Sequence, residues 1–265
     1  MAEMELSKRL SAAAALVTPG KRIVDIGTDH AYIPIYLVEK KKCLSAVAMD
    51  VNVGPLGRAK AHIQEAGFQK EIEARLSDGF ERLKPGEADC AVIAGMGGGL
   101  VMKILSAYPK VTCSLKECIL QPQSEIAKVR AFLLEYGFIF VDEDMVLDDG
   151  KYYPMMKVLP PKQMSISGNL AYGLSDNVGM SDRIGKRKAD AAGICGWTET
   201  EIRYGKFLLE KKHPVLKDFL QREYMIYKRI LEEIEDKSGG KIENRKRELE
   251  KDLSYIERGL EYYAV

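Results

Sequence analysis

The chain has 265 residues, of which 46% are hydrophobic and 30% charged, a composition typical of a globular protein rather than a fibrous or disordered one. Its 40 basic and 39 acidic residues almost cancel, so no protein-wide field draws it to nucleic acid or membrane, and any basic surface must be local. The five scattered cysteines form no Cys-x-x-Cys pair, which predicts free thiols and no metal site. With no signal sequence and no apolar run near the roughly 18 residues of a membrane span, we expect a cytoplasmic protein without a membrane partner.

Strand and helix patterns alternate along residues 1–160. After a helix over 4–17, strands are predicted over 21–26, 44–49, 72–76, 88–94, 117–120, 138–146 and 152–158. Helices are predicted over 31–41, over 54–66, after the glycine-rich run at 95–99 through 107 and, with Ser124 as the cap, up to 136. The last two strands form a hairpin. This order predicts an α/β fold, a doubly wound, Rossmann-like sheet of seven mostly parallel strands.

Two further segments follow. Residues 161–198 are rich in Gly, Ser, Asn and Asp and predict an irregular insert. Its basic cluster of Arg183, Lys186, Arg187 and Lys188 is either a solvated loop or an arm that contacts phosphates. Residues 199–265 have apolar positions at helical spacing, broken by a Ser-Gly-Gly turn at 238–240, and predict an α-helical antiparallel coiled-coil domain.

The first predicted strand ends in a turn that carries three ionisable side chains. Gly27 ends the strand, with Asp25 just before it and Asp29 and His30 just after. A dinucleotide site needs Gly-x-Gly-x-x-Gly here, but Asp29 occupies the second glycine position, and a Walker lysine motif is also absent. An anionic turn suits a cofactor with a positive sulfonium and no phosphates. The turn therefore favours S-adenosyl-L-methionine.

The later strand ends match the chemical parts of that cofactor. Asp50 ends the second strand, where an acid can accept hydrogen bonds from ribose hydroxyls. Asp78 follows the third strand and can meet the adenine amino group, and backbone at Gly95 and Gly97 can lie beside the reactive methyl. The predicted cofactor-binding residues are Asp25, Gly27, Thr28, Asp29, Asp50, Val51, Asp78, Gly79, Gly95, Met96 and Gly97.

The sequence also resembles a known family, the bacterial tRNA (adenine-22-N1) methyltransferases, or TrmK family. The resemblance rests most on residues 25–34, which read DIGTDHAYIP. It extends from LSKRL at 6–10 through SDG, AGMGG and ILQP after successive strands to YGKFL at 204–208. It implies a class I S-adenosylmethionine-dependent methyltransferase domain with a C-terminal coiled-coil domain, acting on tRNA. Two features differ: Gln123 stands where the family carries Asn, and the segment 165–198 is longer.

Adenine N1 can attack the sulfonium methyl directly, because its lone pair lies in the ring plane. The reaction needs alignment and a group that tolerates positive charge on the base rather than a strong base. Asp29 and Gln123 are the candidates for that group, and His30 and Tyr32 can stack on the base or position it. Gln121 completes the predicted catalytic set. His30 and Tyr32 are alternatively a helix-start residue and a packing residue.

The tRNA backbone requires a second contact surface, because a tRNA is much larger than the crevice. The predicted RNA-binding residues are Arg9, Lys206, Lys211, Lys212 and Arg222. The helical domain is alternatively a dimerisation or structural element, although no protein partner is evident. Two other functions stay open: an S-adenosylmethionine enzyme for a different RNA, a protein or a small molecule, and a non-catalytic RNA-binding protein.

Overall fold

The computed structural model describes residues 5–164, 196–235 and 239–264. The strands form one sheet in the order β3-β2-β1-β4-β5-β7-β6. They are β1 (Lys21–Ile26), β2 (Cys43–Asp50), β3 (Ile72–Leu76), β4 (Cys90–Met96), β5 (Glu117–Pro122), β6 (Ile139–Asp148) and β7 (Lys151–Leu159). The first five strands are parallel, and β7 is antiparallel to both β5 and β6. The predicted seven-stranded sheet is confirmed.

The helices of the first 160 residues cover both faces of this sheet. They are α1 (Lys8–Leu16), α2 (Tyr32–Glu39), α3 (Val53–Ala66), α4 (Gly98–Ala107), α5 (Pro109–Thr112) and α6 (Ile126–Glu135). The prediction of Ser124 as a helix cap was wrong, because α6 begins after Glu125 and has no side-chain cap. The Ser124 hydroxyl instead accepts a hydrogen bond from the Gly98 N–H, 3.3 Å away. It therefore ties the start of α4 to the loop after β5.

Strand β1 shows how sequence alternation builds the two core layers. Successive side chains of a strand point to opposite faces. Val24 and Ile26 accordingly belong to the apolar layer that contains α4, α5 and α6. Ile23 belongs to the layer that contains α1, α2 and α3. Asp25 shares the face of Ile23 and is also buried, so one carboxyl group lies within the protein at the end of the central strand.

The C-terminal helices rest against the antiparallel edge of the sheet. They are α7 (Glu199–Tyr204), α8 (Lys206–Glu210), α9 (Pro214–Ile234) and α10 (Gly240–Glu261). Leu220 of α9 and Ile256 of α10 pack into a third apolar cluster with Met145 of β6. The helical C-terminal region is thus confirmed, while its coiled-coil geometry and the division at 160 and 198 stay predictions.

A buried ion pair fixes this region to the sheet. The Arg130 guanidinium on α6 lies 2.7 Å from the Glu143 carboxylate on β6, and both side chains are buried. Arg130 also donates to the carbonyls of Ile202 and Arg203, and Glu143 accepts from the Phe207 N–H. These bonds tie α7 and α8 to the sheet.

The insert prediction falls largely outside the described residues. The basic cluster of Arg183, Lys186, Arg187 and Lys188 lies there, as does Cys195. The four cysteines in the described part are free thiols. Within the same part, no three His, Cys, Asp or Glu side chains are placed to hold a metal ion. No helix of the described residues has the length and apolarity needed to cross a membrane.

Candidate active site

The carboxyl ends of the parallel strands form a crevice at the point where the strand order reverses. Strands β2 and β3 lie on one side of β1, and β4 and β5 lie on the other. In open α/β sheets, ligands bind at such a switch point. The predicted cofactor-binding residues all lie at or directly after the carboxyl ends of β1, β2, β3 and β4, at this edge. The topology therefore brings together residues that are up to 72 positions apart in the sequence.

The turn after β1 favours glycine at position 27. This residue has a φ of +72°, and a Cβ atom there would displace the methyl group at the flexible end of the Met96 side chain. The N–H groups of Gly27 and Thr28 both donate to the Met49 carbonyl, at 2.8 and 2.9 Å. The end of β1 is thereby joined to the end of β2, with Met96 of β4 above it.

Two buried acids lie beneath this turn. The Thr28 hydroxyl donates to the Asp25 carboxylate over 2.6 Å. Burial raises the pKa of Asp25 to about 6, although the Thr28 bond acts in the opposite direction and the nearby Asp50 adds to the rise. Asp50 accepts from the Asn52 N–H at 2.8 Å and from the Asp29 N–H at 3.4 Å. The crevice is therefore anionic at its base.

Asp29 is held on the rim of the crevice by a cation that the sequence analysis did not identify. Its backbone has a φ of +47°, and its carboxylate accepts a hydrogen bond from Arg58 on α3. The other carboxylate oxygen lies 3.5 Å from His30 Nε2. Asp29 thus retains its acceptor oxygens at the rim, with its charge partly balanced by Arg58.

Three aromatic rings stack beside Asp29. The His30 and Tyr32 rings are 4.9 Å apart and nearly parallel, at 6°. The His62 ring lies 5.1 Å from His30 and 5.5 Å from Tyr32. His62 was also missed by the sequence analysis. The sequence feature that could have identified His62 is its position four residues after Arg58, because this spacing puts both side chains on one face of α3.

His30 has unused hydrogen-bonding capacity. Its Nδ1 atom is buried but finds no hydrogen-bond partner among the described residues. The His30 carbonyl lies 3.1 Å from His62 Nδ1, so its backbone is held in place. Tyr32 is 37% exposed, so the stack has an open side. The open side of the stack suits a planar heterocyclic ligand, whereas the His30 Nδ1 atom is enclosed by the protein.

A second polar cluster lies on the β4–β5 side. Gln121 is fully buried, and its side-chain oxygen accepts from Arg9 at 2.9 Å and from the Gly95 N–H at 3.2 Å. Gln123 is exposed, and its side-chain nitrogen lies 3.7 Å from the Cβ position of Gly95. Gln121 therefore orients Gly95 and Arg9 from below, whereas Gln123 reaches the open crevice.

The remaining crevice residues fit S-adenosylmethionine in their chemistry. Asp78 is exposed at the end of β3, beside Gly79, and Gly97 begins α4. Val51 is 58% exposed directly after Asp50, which offers an apolar wall beside a carboxylate. The carboxylates can accept hydrogen bonds from the hydroxyl groups of a ribose and the amino group of an adenine. The apolar wall suits the adenine ring, and the net negative charge suits a sulfonium.

The predicted RNA-binding residues divide between two places. Arg9 lies at the crevice through its bond to Gln121, with its guanidinium 5.5 Å above the Tyr153 ring. The other four belong to the C-terminal helical region, with Lys211 and Lys212 between α8 and α9. Lys206 pairs with Glu201 and Glu210, Lys211 pairs with Asp142, Lys212 donates to a backbone carbonyl, and Arg222 lies 5.7 Å from the Tyr152 ring.

Comparisons with known proteins point to the same edge of the sheet. A family profile described as "Methyltransferase domain" matches residues 6–156. The tRNA (adenine(22)-N(1))-methyltransferase of Bacillus subtilis strain 168 is 38% identical over 156 residues, which are 59% of this chain and 66% of that protein, just under two thirds of its length.

Two solved structures resemble the whole chain. The B. subtilis m1A22 tRNA methyltransferase TrmK superposes with a TM-score of 0.76 at 28% identity, covering 97% of this chain and all (100%) of that one. A putative tRNA (m1A22) methyltransferase of Streptococcus pneumoniae, in complex with S-adenosyl-L-methionine, has a TM-score of 0.74 at 27% identity and the same coverage of 97% and 100%.

Proposed function

Because this chain belongs to the methyltransferase-domain family, we propose that it transfers a methyl group from S-adenosyl-L-methionine to N1 of adenine 22 in tRNA. One observation carries the proposal: the anionic crevice at the end of β1 adjoins an open stack of the His30, Tyr32 and His62 rings. The first feature suits a sulfonium cofactor and the second suits a base. Similarity to TrmK over 97% of the chain supports adenine 22 as the target.

The chain's acids hold the cofactor in this proposal. When bound, S-adenosylmethionine supplies an electrophilic methyl group on a positively charged sulfur. Asp50 accepts hydrogen bonds from the ribose hydroxyls, and Asp78 accepts from the adenine amino group. Ionised Asp25 lies below the turn and favours the positive charge. Gly95 leaves the backbone open at the place of transfer.

The remaining crevice residues align the target base. Adenine N1 lies on the pairing edge, so the nucleotide must leave its stack before it can enter the crevice. Tyr32 and His30 then provide a ring surface, and Gln123 and Asp29 face the amino group next to N1. As the N1 lone pair forms the new bond, the carbon–sulfur pair stays on sulfur and the positive charge passes to the base. No proton has to move, so alignment and charge tolerance supply the catalysis.

Two other assignments follow from burial. Gln121 is fully buried, so we place it as a positioning residue for Gly95 and Arg9 rather than in contact with the base. Arg58 holds Asp29 on the rim and limits its negative charge. The helical domain supplies a second contact for the tRNA backbone. Arg222 and Lys212 are its cations for this contact, because neither forms an ion pair within the described part of the chain. A tRNA substrate implies work in the cytoplasm, and the proposed reaction needs only tRNA and S-adenosylmethionine.

The direct test is methyl transfer to unmodified tRNA. Purified protein, a tRNA transcript and labelled S-adenosylmethionine should give label at position 22 as 1-methyladenosine. A transcript with guanosine at position 22 is the matched control and should take up no label. Failure to label any tRNA at low salt would show that the proposed function is wrong.

Variants of Asp29 and Gln123 test the base side of the crevice. Asp29→Ala and Gln123→Ala should each lower kcat about tenfold or more, because each removes a group facing the charge that develops on the base. Cofactor affinity, measured by calorimetry, should stay within about threefold of the wild type. Lys41→Gln, at the opposite end of the strands, is the control. If Asp29→Ala mainly abolishes cofactor binding, Asp29 belongs to the cofactor site instead.

A further inference from the structure

A cavity of about 530 Å³ lies between the sheet and the C-terminal helices, apart from the crevice at β1. The loop after β5 contributes Gln123, and the start of β7 contributes Tyr152 and Tyr153. Helices α7 and α9 close the other side with Arg203 and Phe219. Its volume falls in the range of roughly 300–1,000 Å³ that small-molecule sites occupy. The cavity exists only because the helical region is fixed to the sheet.

The charged groups that line the cavity are all cations. They are Lys151, Arg130 and Arg203, and no carboxylate lines it among the described residues. Arg130 is balanced by buried Glu143, and Arg203 pairs with Asp252 at 3.0 Å. Lys151 is exposed and forms no ion pair within the described part of the chain. Lys151, whose cross-strand neighbour is Asp148, therefore leaves its ammonium group available at the cavity, which suits an anionic ligand.

Aromatic rings provide the rest of the recognition surface. The Tyr152 and Phe219 rings meet edge to face with centroids 5.2 Å apart. The Arg222 guanidinium lies 5.7 Å above the Tyr152 ring, and the Tyr152 hydroxyl donates to Asp218. Tyr152 is only partly buried, so its ring remains accessible. Rings next to cations are the usual means of binding single-stranded nucleotides, because bases stack on the rings while phosphates meet the charges.

The cavity borders the crevice, because two of its lining residues also approach crevice residues. Gln123 lines the cavity and also approaches Gly95. Tyr153 lines it and lies beneath Arg9, which donates to Gln121 at the end of β5. The two shared residues place the cavity beside the crevice, where the nucleotide next to a base bound in the crevice can reach it.

We propose that this cavity binds the nucleotide next to the target adenine in the substrate RNA. Its base stacks on Tyr152, and its phosphate lies between Lys151 and Arg203. The inference rests on the proposed function, since it requires an RNA substrate in the crevice. It explains how an enzyme can hold an unstacked target: the neighbouring base gains a ring surface in place of the one that it loses.

The test measures coupling between Tyr152 and a neighbouring base. tRNA transcripts are made with an abasic site at position 21 or at position 23, and kcat/KM is measured for wild type and for Tyr152→Leu. With intact tRNA, Tyr152→Leu should lose about tenfold or more, as expected for one stacked base. One of the two abasic transcripts lacks the base that stacks on Tyr152. On that transcript, Tyr152→Leu should lower kcat/KM much less than on intact tRNA, and the ratio of the two losses, which is the coupling, should be at least fivefold. Coupling below fivefold at both positions overturns the proposal.

Lys151→Gln provides a readout that does not depend on the core, because Lys151 is exposed. It should lower kcat/KM for intact tRNA severalfold while leaving S-adenosylmethionine affinity unchanged. The slope of the logarithm of the tRNA binding constant against the logarithm of the salt concentration should become smaller by about one. Lys41→Gln is the matched control and should do neither. A Lys151→Gln variant that behaves like Lys41→Gln also overturns the proposal. Absence of label with the wild type overturns the proposed function first and this inference with it.

Discussion

The crevice at β1 and the buried ion pair at the junction with the C-terminal helices differ in how completely their charged groups are paired. At the junction, the buried charges of Arg130 and Glu143 meet each other and three backbone groups. At the crevice, His30 Nδ1 has no partner among the described residues, and Asp78 is exposed at a strand end. A buried polar group without a partner is unfavourable in a folded protein. The Arg130–Glu143 pair is therefore complete by itself, whereas the exposed Asp78 carboxylate of the crevice stays open to a ligand.

The same contrast separates stability from activity. A buried ion pair that is fully hydrogen-bonded depends strongly on both partners, because removing one leaves an uncompensated charge. The crevice instead carries a strained non-glycine residue, Asp29, whose backbone is left-handed. Such features are typical of functional sites. Three substitutions, described from the largest expected effect to the smallest, test this difference.

Glu143→Ala should have the largest effect on stability. It leaves Arg130 buried without its carboxylate, and we expect a loss of about 3–5 kcal/mol in the free energy of unfolding. Chemical denaturation measures this loss. Glu248→Ala is the control, since its pair with Arg245 is exposed on α10 and should be worth less than about 1 kcal/mol. Equal losses for the two variants would mean that the junction is not the fixed element.

Asp25→Asn should change how stability depends on pH. The folded-state pKa of Asp25 is about 6 against an ordinary value of 3.8, so its ionisation disfavours folding. Its contribution to stability is fully present below pH 4 and is lost as pH rises through 6. The loss reaches at most about 3 kcal/mol, at roughly 1.4 kcal/mol per pH unit.

In Asp25→Asn, the free energy of unfolding should not show this fall between pH 4 and pH 7, as measured by urea unfolding at each pH. Asp149→Asn, in the exposed hairpin turn, should keep the wild-type profile. An Asp25→Asn profile parallel to that of the wild type would contradict the raised pKa.

Gly27→Ala should have the smallest effect on stability but a specific effect on the crevice. Both Gly27 and Gly67 have a positive φ, at +72° and +78°, so alanine at either position should cost about 1–2 kcal/mol. Only at Gly27 does the new Cβ meet the Met96 methyl group, while nothing lies within 4 Å at Gly67. Gly27→Ala alone should therefore weaken S-adenosylmethionine binding, by about tenfold in calorimetry. Equal S-adenosylmethionine affinities for Gly27→Ala and Gly67→Ala would show that Met96 lies outside the cofactor site.

Much of the fold is determined by local sequence patterns. Apolar alternation and glycine turns gave all seven strands in the right order along the chain, because these signals act between neighbouring residues. The strand-end residues from Gly27 to Gly97 were predicted for the same reason: in a doubly wound sheet, every such position faces one edge. The error at Ser124 has the opposite cause, since its hydroxyl bonds the distant Gly98 rather than its own helix.

Only the tertiary structure decided which side chains meet at and around that edge. Arg58 and His62 look like ordinary surface residues of a helix, and folding of α3 against β1 brings them to Asp29 and His30. The burial of Gln121 and the pairing of Arg130 with Glu143 depend on elements far apart in the chain. The sequence by itself therefore determined the strand-end turn and its acids, because those are local. The ring stack, the junction and the cavity are contacts between distant segments, which packing alone brings together.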